Sequence, residues 1–205
     1  RDARAVDEAA RLAVTALGAP DLAVNCAGVQ RARAFDELPA EDFDLVVDVN
    51  LKGSRNFAAA LLPRLAPGGS LVLVASLAGL VGNYGYAAYN ASKFGVVGLG
   101  AALRIEYRPR GLRVTVVCPP EVETPMVAEE RLSAPEVTFA TKKLAGTVEL
   151  DELISALLRG AARGDALVVP GLRARATSLL ARLAPGMVSR TTDLVVARAL
   201  RGSGK

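Results

Sequence analysis

The sequence predicts an α/β fold in which helices cover both faces of a doubly wound parallel sheet. Two observations predict it. Short apolar runs, rich in Val and Leu, lack the polar alternation of a sheet that is buried on one face only. These runs alternate along the chain with longer segments of helical periodicity, as expected for parallel strands joined by right-handed helical crossovers.

Four strands and four helices follow from these patterns. The strands are predicted at Asp21–Asn25, Ser70–Ser76, Arg113–Pro119 and Ala166–Pro170. The helices are predicted at about Ala5–Leu17, Pro39–Leu65, Tyr86–Arg108 and Leu150–Arg163. Sheets of this kind carry their ligands at the carboxyl ends of their strands, so polar residues at those ends are the first candidates for a site.

Composition limits the class of protein. The 205 residues suit one domain with a full core, and no apolar run reaches the roughly 18–20 residues of a membrane-spanning helix. We expect no signal peptide at the start of the chain. The absence of histidine excludes a His-based triad, and the two cysteines leave a poor ligand set for zinc. Cys26 and Cys118 suit buried reduced thiols of a cytoplasmic protein better than a disulfide, which the sequence leaves open.

The net charge of +4 is concentrated in a C-terminal tail. From Gly171 to Lys205 seven basic residues face one acidic residue, so this segment carries +6 and the preceding residues −2. The tail lacks interleaved aromatic residues and the rest of the chain is acidic, so we expect no binding to nucleic acid.

We predict a basic amphipathic helical tail over residues 172–205. Its apolar stripe consists of Leu172, Ala176, Leu179, Leu180 and Leu183. Ala184–Gly186 interrupts the pattern, and a second helix is predicted from Met187. The stripe predicts either peripheral contact with a membrane surface or packing against the body or a neighbouring subunit.

Tyr89 and Lys93, in the segment YNASK, are four residues apart and therefore share one face of a predicted helix. They are either a catalytic pair or two solvated residues. Ser76 and Asn25 close predicted strands, and Thr124 follows another. Each of these three has a structural alternative as a turn or capping residue.

Together these groups suit acid catalysis at a carbonyl. A phenol titrates near pH 10, and a lysine one turn away favours the phenolate and lowers its pKa. The Ser76 hydroxyl can donate to an oxygen on which negative charge develops. Tyr89 is then a general acid for reduction, or a base for oxidation. Asn50, inside a predicted helix, either faces solvent or marks a kink that holds a water.

In order along the chain, Asn25–Gly28, Asn50, Ser76, Tyr89–Lys93 and Pro119–Thr124 resemble the motifs of short-chain dehydrogenases/reductases. The resemblance covers residues 1–171 and implies a Rossmann-like domain that uses NAD(P)(H). It implies that Lys93 binds the nicotinamide ribose, Ser76 positions the carbonyl and Asn50 holds a proton-relay water. The cofactor-binding residues that it implies are Asn25, Ala27, Gly28, Tyr89, Lys93, Pro119, Val122 and Thr124.

The chain begins on a helix, whereas a doubly wound nucleotide-binding fold begins with a strand and a glycine-rich turn. Gly79–Gly85 and Gly95–Gly100 lack the strand–turn–helix context of a phosphate loop. The resemblance implies that the first strands and the glycine-rich loop, with the residues that select NAD or NADP, precede Arg1.

Two departures from the usual motifs, Cys26 and Pro120, narrow the resemblance to 3-ketodihydrosphingosine (3-dehydrosphinganine) reductases of sphingolipid metabolism. This implies reduction of a long-chain keto base and favours NADP(H), with NAD(H) as the alternative. It also implies a homo-oligomer in the cytoplasm. A short-chain reductase of a soluble ketone, hydroxyacyl group or steroid stays open, as does a non-catalytic dinucleotide-binding protein.

Overall fold

The computed structural model describes residues 1–143 and 146–202. Within them the strands are β1 (Leu22–Asn25), β2 (Ser70–Val74), β3 (Arg113–Val117) and β4 (Leu167–Val168). The α-helices are α1 (Ala3–Leu17), α2 (Ala40–Val47), α3 (Gly53–Leu61), α4 (Ala87–Tyr107), α5 (Pro125–Ser133), α6 (Glu136–Lys142), α7 (Leu150–Arg163), α8 (Leu172–Leu183) and α9 (Pro185–Gly202).

The four strands form one parallel sheet in the order β1-β2-β3-β4, which confirms the predicted α/β fold. Leu22 pairs with Ser70, Ser70 with Arg113, and Val116 with Leu167. Because all strands run in one direction, their carboxyl ends meet at one edge of the sheet, where a site is expected.

Both faces of the sheet are covered by helices. On one face Leu71 and Leu73 of β2 share a core with Val96 of α4. On the other face Val72 packs with Leu157 of α7. Successive side chains of a strand point to opposite faces, so burial on both sides explains why the strands are continuous apolar runs.

Three of the four predicted strands extend too far at their carboxyl ends, whereas β1 ends at Asn25 as predicted. Ala75 N still donates to Val117 O at 2.8 Å, and Leu77 N donates to Pro119 O at 2.8 Å. β2 nevertheless ends at Val74 and β3 at Val117, and a 3₁₀ turn, Leu77–Gly79, follows β2. Ser76, Pro119 and Pro170, which the prediction placed at strand ends, therefore lie beyond β2, β3 and β4, whereas Asn25 is the last residue of β1.

The predicted helix over residues 39–65 is interrupted. A π-helical turn, Asp48–Lys52, joins α2 to α3, and a 3₁₀ turn, Leu62–Arg64, follows α3. Asn50 lies in the π turn, and its carbonyl accepts the hydroxyl hydrogen of Ser54 at 2.6 Å. Single π turns inside α-helices are frequent at functional sites.

Two short helices, α5 and α6, were not predicted. Thr124 caps α5 by accepting from Val127 N at 3.4 Å, and Pro125 occupies the first helical position. Both residues are helix-start signals, but the segment that follows has little amphipathic pattern to confirm them.

The tail forms α8 and α9, and α9 packs against α6 and α8. The second helix begins at Pro185, before the predicted Met187. All five residues of the apolar stripe are exposed, whereas Ala174 of α8 is fully buried. The alternative in which the stripe packs against the body of the chain is therefore not realised, whereas contact with a membrane surface or a neighbouring subunit stays a prediction. Among the described residues, no helix combines the length and the apolar character required to cross a membrane.

Candidate active site

A pocket lies at the carboxyl edge of the sheet, above β2 and β3. The predicted site residues that line it are Gly28, Ser76, Tyr89, Lys93, Pro119, Val122 and Thr124. Three predicted residues, Asn25, Ala27 and Asn50, are not part of its lining. The fold thus brings together residues that are far apart in the sequence, as the positions of the strand ends predict.

Tyr89 and Lys93 point into the same space from α4. The Lys93 Nζ atom lies 5.5 Å from the centroid of the Tyr89 ring and donates to Val74 O at 3.0 Å, at the end of β2. Lys93 is only 5% exposed. Burial disfavours its charged form and lowers the pKa of Lys93 to about 8. The alternative of two solvated residues is therefore excluded.

Burial raises the pKa of Tyr89 to about 12, although its hydrogen bond with Ser76 acts in the opposite direction. The negative charge of Glu130 raises it further. The net direction is opposite to the lowered pKa that the sequence predicts, because burial outweighs the other effects; a lowering contribution from Lys93 stays a prediction. The phenol is protonated at neutral pH, the state in which it can donate a proton.

Ser76 has the extended backbone of an N-cap residue, and its Oγ accepts from Ala78 N at 3.1 Å. The structural alternative for Ser76 is therefore realised, and the same side chain also lines the pocket. Asn90, which was not predicted, fastens the following loop to α4. Its Nδ2 atom donates to Ala78 O at 2.6 Å and to Val81 O at 2.9 Å.

Asn50 is 1% exposed, so the solvated alternative is excluded. Its Oδ1 accepts from Val29 N at 2.8 Å, and its Nδ2 donates to Val29 O at 2.9 Å and to Ser92 Oγ at 3.0 Å. These bonds tie the loop after β1 to α4, next to Lys93. In that loop, a Cβ at Gly28 would lie 3.2 Å from Asn50 Oδ1, which is a tight contact, and 3.5 Å from Lys93 Nζ, so a side chain there would crowd these two groups.

Asn25 is buried and stabilises the end of β1. Its Nδ2 donates to Ser54 Oγ at 3.0 Å, and its Oδ1 accepts from Ala27 N at 3.1 Å. This is the turn-forming role that the sequence offered as its alternative. By fixing the turn at Ala27, Asn25 helps to position Gly28, which lines the pocket.

An unpredicted polar cluster borders the pocket. Tyr86 lies edge-to-face against Tyr89, with ring centroids 5.3 Å apart, and its hydroxyl donates to the carboxylate of Glu130. Burial, with Glu130 adding to it, raises the pKa of Tyr86, so its phenol stays protonated. Lys142 forms ion pairs with Glu130, at 2.7 Å, and with Glu121. Glu130 lies in α5 and Lys142 in α6, and the packing of these two helices brings both side chains to the pocket, which the sequence pattern does not reveal.

The tail also reaches the pocket. Thr177 of α8 and Val188 and Thr192 of α9 line it, together with Leu150 and Leu153 of α7. The two tail helices therefore cover part of the opening while the stripe on α8 stays exposed.

Cys26 and Cys118 are free thiols, as the sequence favoured, but only Cys118 is buried; the prediction that Cys26 is buried is wrong. Burial raises the pKa of the Cys118 thiol to about 12 and also raises that of Cys26. Both are therefore protonated at neutral pH and are weak nucleophiles.

The fold and the pocket define an α/β protein with a site at the carboxyl edge of a parallel sheet. A family model for short chain dehydrogenases matches residues 1–134. The chain therefore belongs to the short-chain dehydrogenase family of oxidoreductases.

Three similar proteins support this assignment. A 3-dehydrosphinganine reductase of Danio rerio is 32% identical over 80% of this chain and 50% of its own length. The oxidoreductase UcpA of Salmonella typhimurium is 34% identical over 77% of this chain and 65% of its own length. The structure of a Serratia marcescens short-chain dehydrogenase/reductase mutant has a TM-score of 0.70 and 28% identity, with 82% of this chain and 71% of that chain covered. The chain spans about half the length of the reductase it matches.

Proposed function

We propose that the intact protein is an NAD(P)H-dependent carbonyl reductase in which Tyr89 is the general acid or base, acting with Ser76 and Lys93. The observation that carries this proposal is their common position around one pocket at the carboxyl edge of the sheet. A non-catalytic dinucleotide-binding protein has no need for a buried lysine beside a buried phenol, because burying an ammonium is unfavourable.

The residues of this pocket fit a nicotinamide ribose. Gly28 leaves open the space that a side chain would fill, next to Asn50 and Lys93. Within the described residues the Lys93 ammonium donates to one acceptor, Val74 O, although it carries three hydrogens. Its other donors suit the ribose hydroxyls. Lys93, Gly28, Pro119, Val122 and Thr124 would hold the cofactor, with NADP(H) favoured and NAD(H) as the alternative.

When bound, the nicotinamide supplies the hydride. Ser76 donates a hydrogen bond to the substrate carbonyl oxygen and orients it, and Tyr89 delivers its proton as negative charge develops there. Lys93 favours the phenolate that Tyr89 leaves behind. Asn50 is a positioning residue, because its side-chain amide forms hydrogen bonds with Val29 and Ser92. A proton-relay water at Asn50 stays a prediction.

The proposed substrate is the long-chain keto base 3-ketodihydrosphingosine. Two observations support it: the similarity to a reductase of that name, and apolar residues that continue the pocket beneath the tail. They are Val81, Met126, Leu150, Leu153 and Val188. A soluble ketone, hydroxyacyl group or steroid remains the alternative, supported by the similarity to a protein named only as an oxidoreductase.

Replacing Tyr89 with Phe in the intact protein tests the chemistry. Oxidation of NADPH by a keto base should slow by roughly 10²–10⁴-fold, because the general acid is lost while the ring remains. NADPH binding, followed by fluorescence, should be nearly unchanged. Tyr107→Phe, near the far end of the same helix, is the control and should keep its activity. If Tyr89→Phe retained rates within about threefold of the parent, Tyr89 would not be the acid.

We also propose a homo-oligomer in the cytoplasm with peripheral membrane contact through the tail. The exposed apolar stripe of α8 supports the contact, since Arg173 and Arg182 stand beside it. Such a segment binds an anionic surface through apolar burial and electrostatic attraction together.

A further inference from the structure

A buried carboxylate lies in the candidate active site without a part in the proposed chemistry. The Glu130 side chain is 2% exposed and lines the same pocket as Tyr89. Its Oε1 accepts from the Tyr86 hydroxyl, and its Oε2 pairs with Lys142 Nζ at 2.7 Å. A carboxylate has about four acceptor positions, so these bonds leave part of its capacity unused.

The charge around Glu130 is not balanced. Lys142 is shared between Glu130 and Glu121, which is 14% exposed. Arg131 also pairs with Glu121 and with the exposed Glu123, but Arg131 is itself half exposed and screened by water. The buried part of the cluster therefore has two carboxylates for one ammonium, and it favours a further cation in the pocket.

This charge lies close to the proposed reacting atoms. The ring of Tyr86, whose hydroxyl contacts Glu130, lies against the ring of Tyr89. The pKa of Tyr89 responds to Glu130, so their electrostatic interaction is not screened away. Glu130 and Tyr89 line the same pocket, so a substituent on the carbon next to a carbonyl held by Tyr89 shares that pocket with the carboxylate. A cationic substituent is favoured there by its attraction to Glu130.

We propose that Glu130 is a specificity residue that binds a protonated amine on the carbon next to the substrate carbonyl. The pocket then selects cationic amino ketones over neutral ketones and over anionic acyl substrates, which Glu130 repels. Tyr86 and Lys142 are positioning residues that orient the carboxylate. This inference rests on the proposed carbonyl reduction and assigns the residue that recognises the amine of an amino ketone.

The test compares a 2-amino-3-ketone with the same ketone lacking the amine, in the intact protein and in its Glu130→Gln variant. Gln keeps the size of the side chain and an acceptor for Tyr86, and Lys142 keeps Glu121 as its partner. We expect kcat/KM for the amino ketone to fall by about 10- to 100-fold and that for the neutral ketone to change by less than about threefold, since hydrogen bonds to charged groups are the stronger ones. Glu123→Gln, a carboxylate outside the pocket lining, is the control and should leave both values unchanged.

Equal losses for both ketones, with a shifted pH–rate profile, would overturn the inference and assign Glu130 to the positioning of Tyr89. If Glu130→Gln fails to fold, the double variant Glu130→Gln/Lys142→Met removes the pair together and should show the same loss of preference. Calorimetric binding of the amino alcohol and its amine-free analogue tests recognition without turnover. Loss of the amino alcohol preference in Glu130→Gln would support the inference even if the parent reduced no ketone, whereas unchanged binding would overturn it.

Discussion

The buried ammonium of Lys93 destabilises the fold at neutral pH. Its pKa is lowered from the ordinary 10.5 to about 8, so between these values the unfolded chain binds more protons than the folded one. Stability contributed by this group therefore rises as the pH increases from about 8 towards 10.5, and below pH 8 the full cost of about 3 kcal/mol applies.

We predict that Lys93→Met raises the free energy of unfolding near pH 7 by about 1–3 kcal/mol. The lower value allows for the lost hydrogen bond to Val74 O. The gain in stability should shrink as the pH approaches 10.5, because the buried lysine is then neutral in the parent as well. Turnover should be lost, since Lys93 acts in the proposed reaction. Such a variant would be more stable and less active, as is common where a functional site holds a group that the fold disfavours. Denaturant unfolding at several pH values measures the gain.

The exposed Lys52, which pairs with Asp48 at 2.7 Å, is the matched control. Lys52→Met should lower stability slightly at every pH in this range, because burial plays no part there. A Lys93→Met variant that is less stable than the parent at pH 7 would contradict the prediction.

At the residue scale, local patterns bring Ser76, Tyr89 and Lys93 to one pocket, whereas their catalytic roles stay predictions. One helix turn separates Tyr89 from Lys93, and a strand end locates Ser76. Glu130 and Lys142 could not be predicted, since they reach the pocket only through the packing of two short helices without a clear pattern. The pKa of Tyr89 also depends on burial, which the spacing of residues does not reveal.

Among the elements, α4 packs on β3 at a point where Gly100 faces Val116. A Cβ at Gly100 would lie 2.1 Å from Cγ2 of Val116, which no real packing allows. Gly100→Ala should therefore force α4 away from β3 and reduce the free energy of unfolding by about 1–3 kcal/mol. Because α4 carries Tyr89 and Lys93, turnover should fall as well. Thermal unfolding and NADPH oxidation measure the two effects.

Gly98, two residues earlier on the same helix, provides the control. A Cβ there meets nothing within 4 Å, so Gly98→Ala should stabilise the helix by up to about 1 kcal/mol. Adding Val116→Ala to Gly100→Ala should restore part of the loss through a favourable coupling. Additive losses in the double variant would show that contact with Val116 is not the cause.

The sequence predicts the elements whose patterns are strong. The four strands are found because burial on both faces leaves continuous apolar runs, although three of them end earlier than predicted, in loops that pattern alone does not separate. The π turn around Asn50 interrupts a helix whose periodicity continues on both sides, so the periodicity does not reveal it, although Asn50 itself was one mark of a kink. Thr124 and Pro125 mark the start of α5, but its nine residues are too few to show a clear amphipathic pattern.

For the whole molecule, the position of the tail predicts two separable effects. Leu179 and Leu183 are exposed on α8, whereas Val188 lines the pocket. Replacing both leucines with Ser should weaken co-sedimentation with anionic vesicles by about tenfold or more, because buried apolar area is lost. Turnover of a short soluble ketone should not change. Vesicle binding by the parent should also fall at high salt, which screens the arginines.

Replacing Val188 with Asn should do the opposite. It places a polar group in the apolar part of the pocket, so kcat/KM for a long-chain keto base should fall more than that for a short ketone. Vesicle binding should stay at the level of the parent. Equal losses for both ketones, or vesicle binding that does not depend on the stripe, would leave the tail with a packing role only.

The parallel sheet also determines at which stage of folding this pocket forms. Every strand pairing joins segments dozens of residues apart, from Leu22 with Ser70 to Val116 with Leu167. Such pairings lose loop-closure entropy before their contacts form, so sheets of this kind assemble slowly. The loops after β2 and β3 and the helix between them lie within residues 75–124, but the pocket is also lined by Gly28 after β1 and by Val188 of α9. It is therefore complete only when segments that are far apart in the chain have come together. A ligand of this pocket therefore binds the finished fold, where it slows unfolding by mass action but does not hasten the steps that build the sheet.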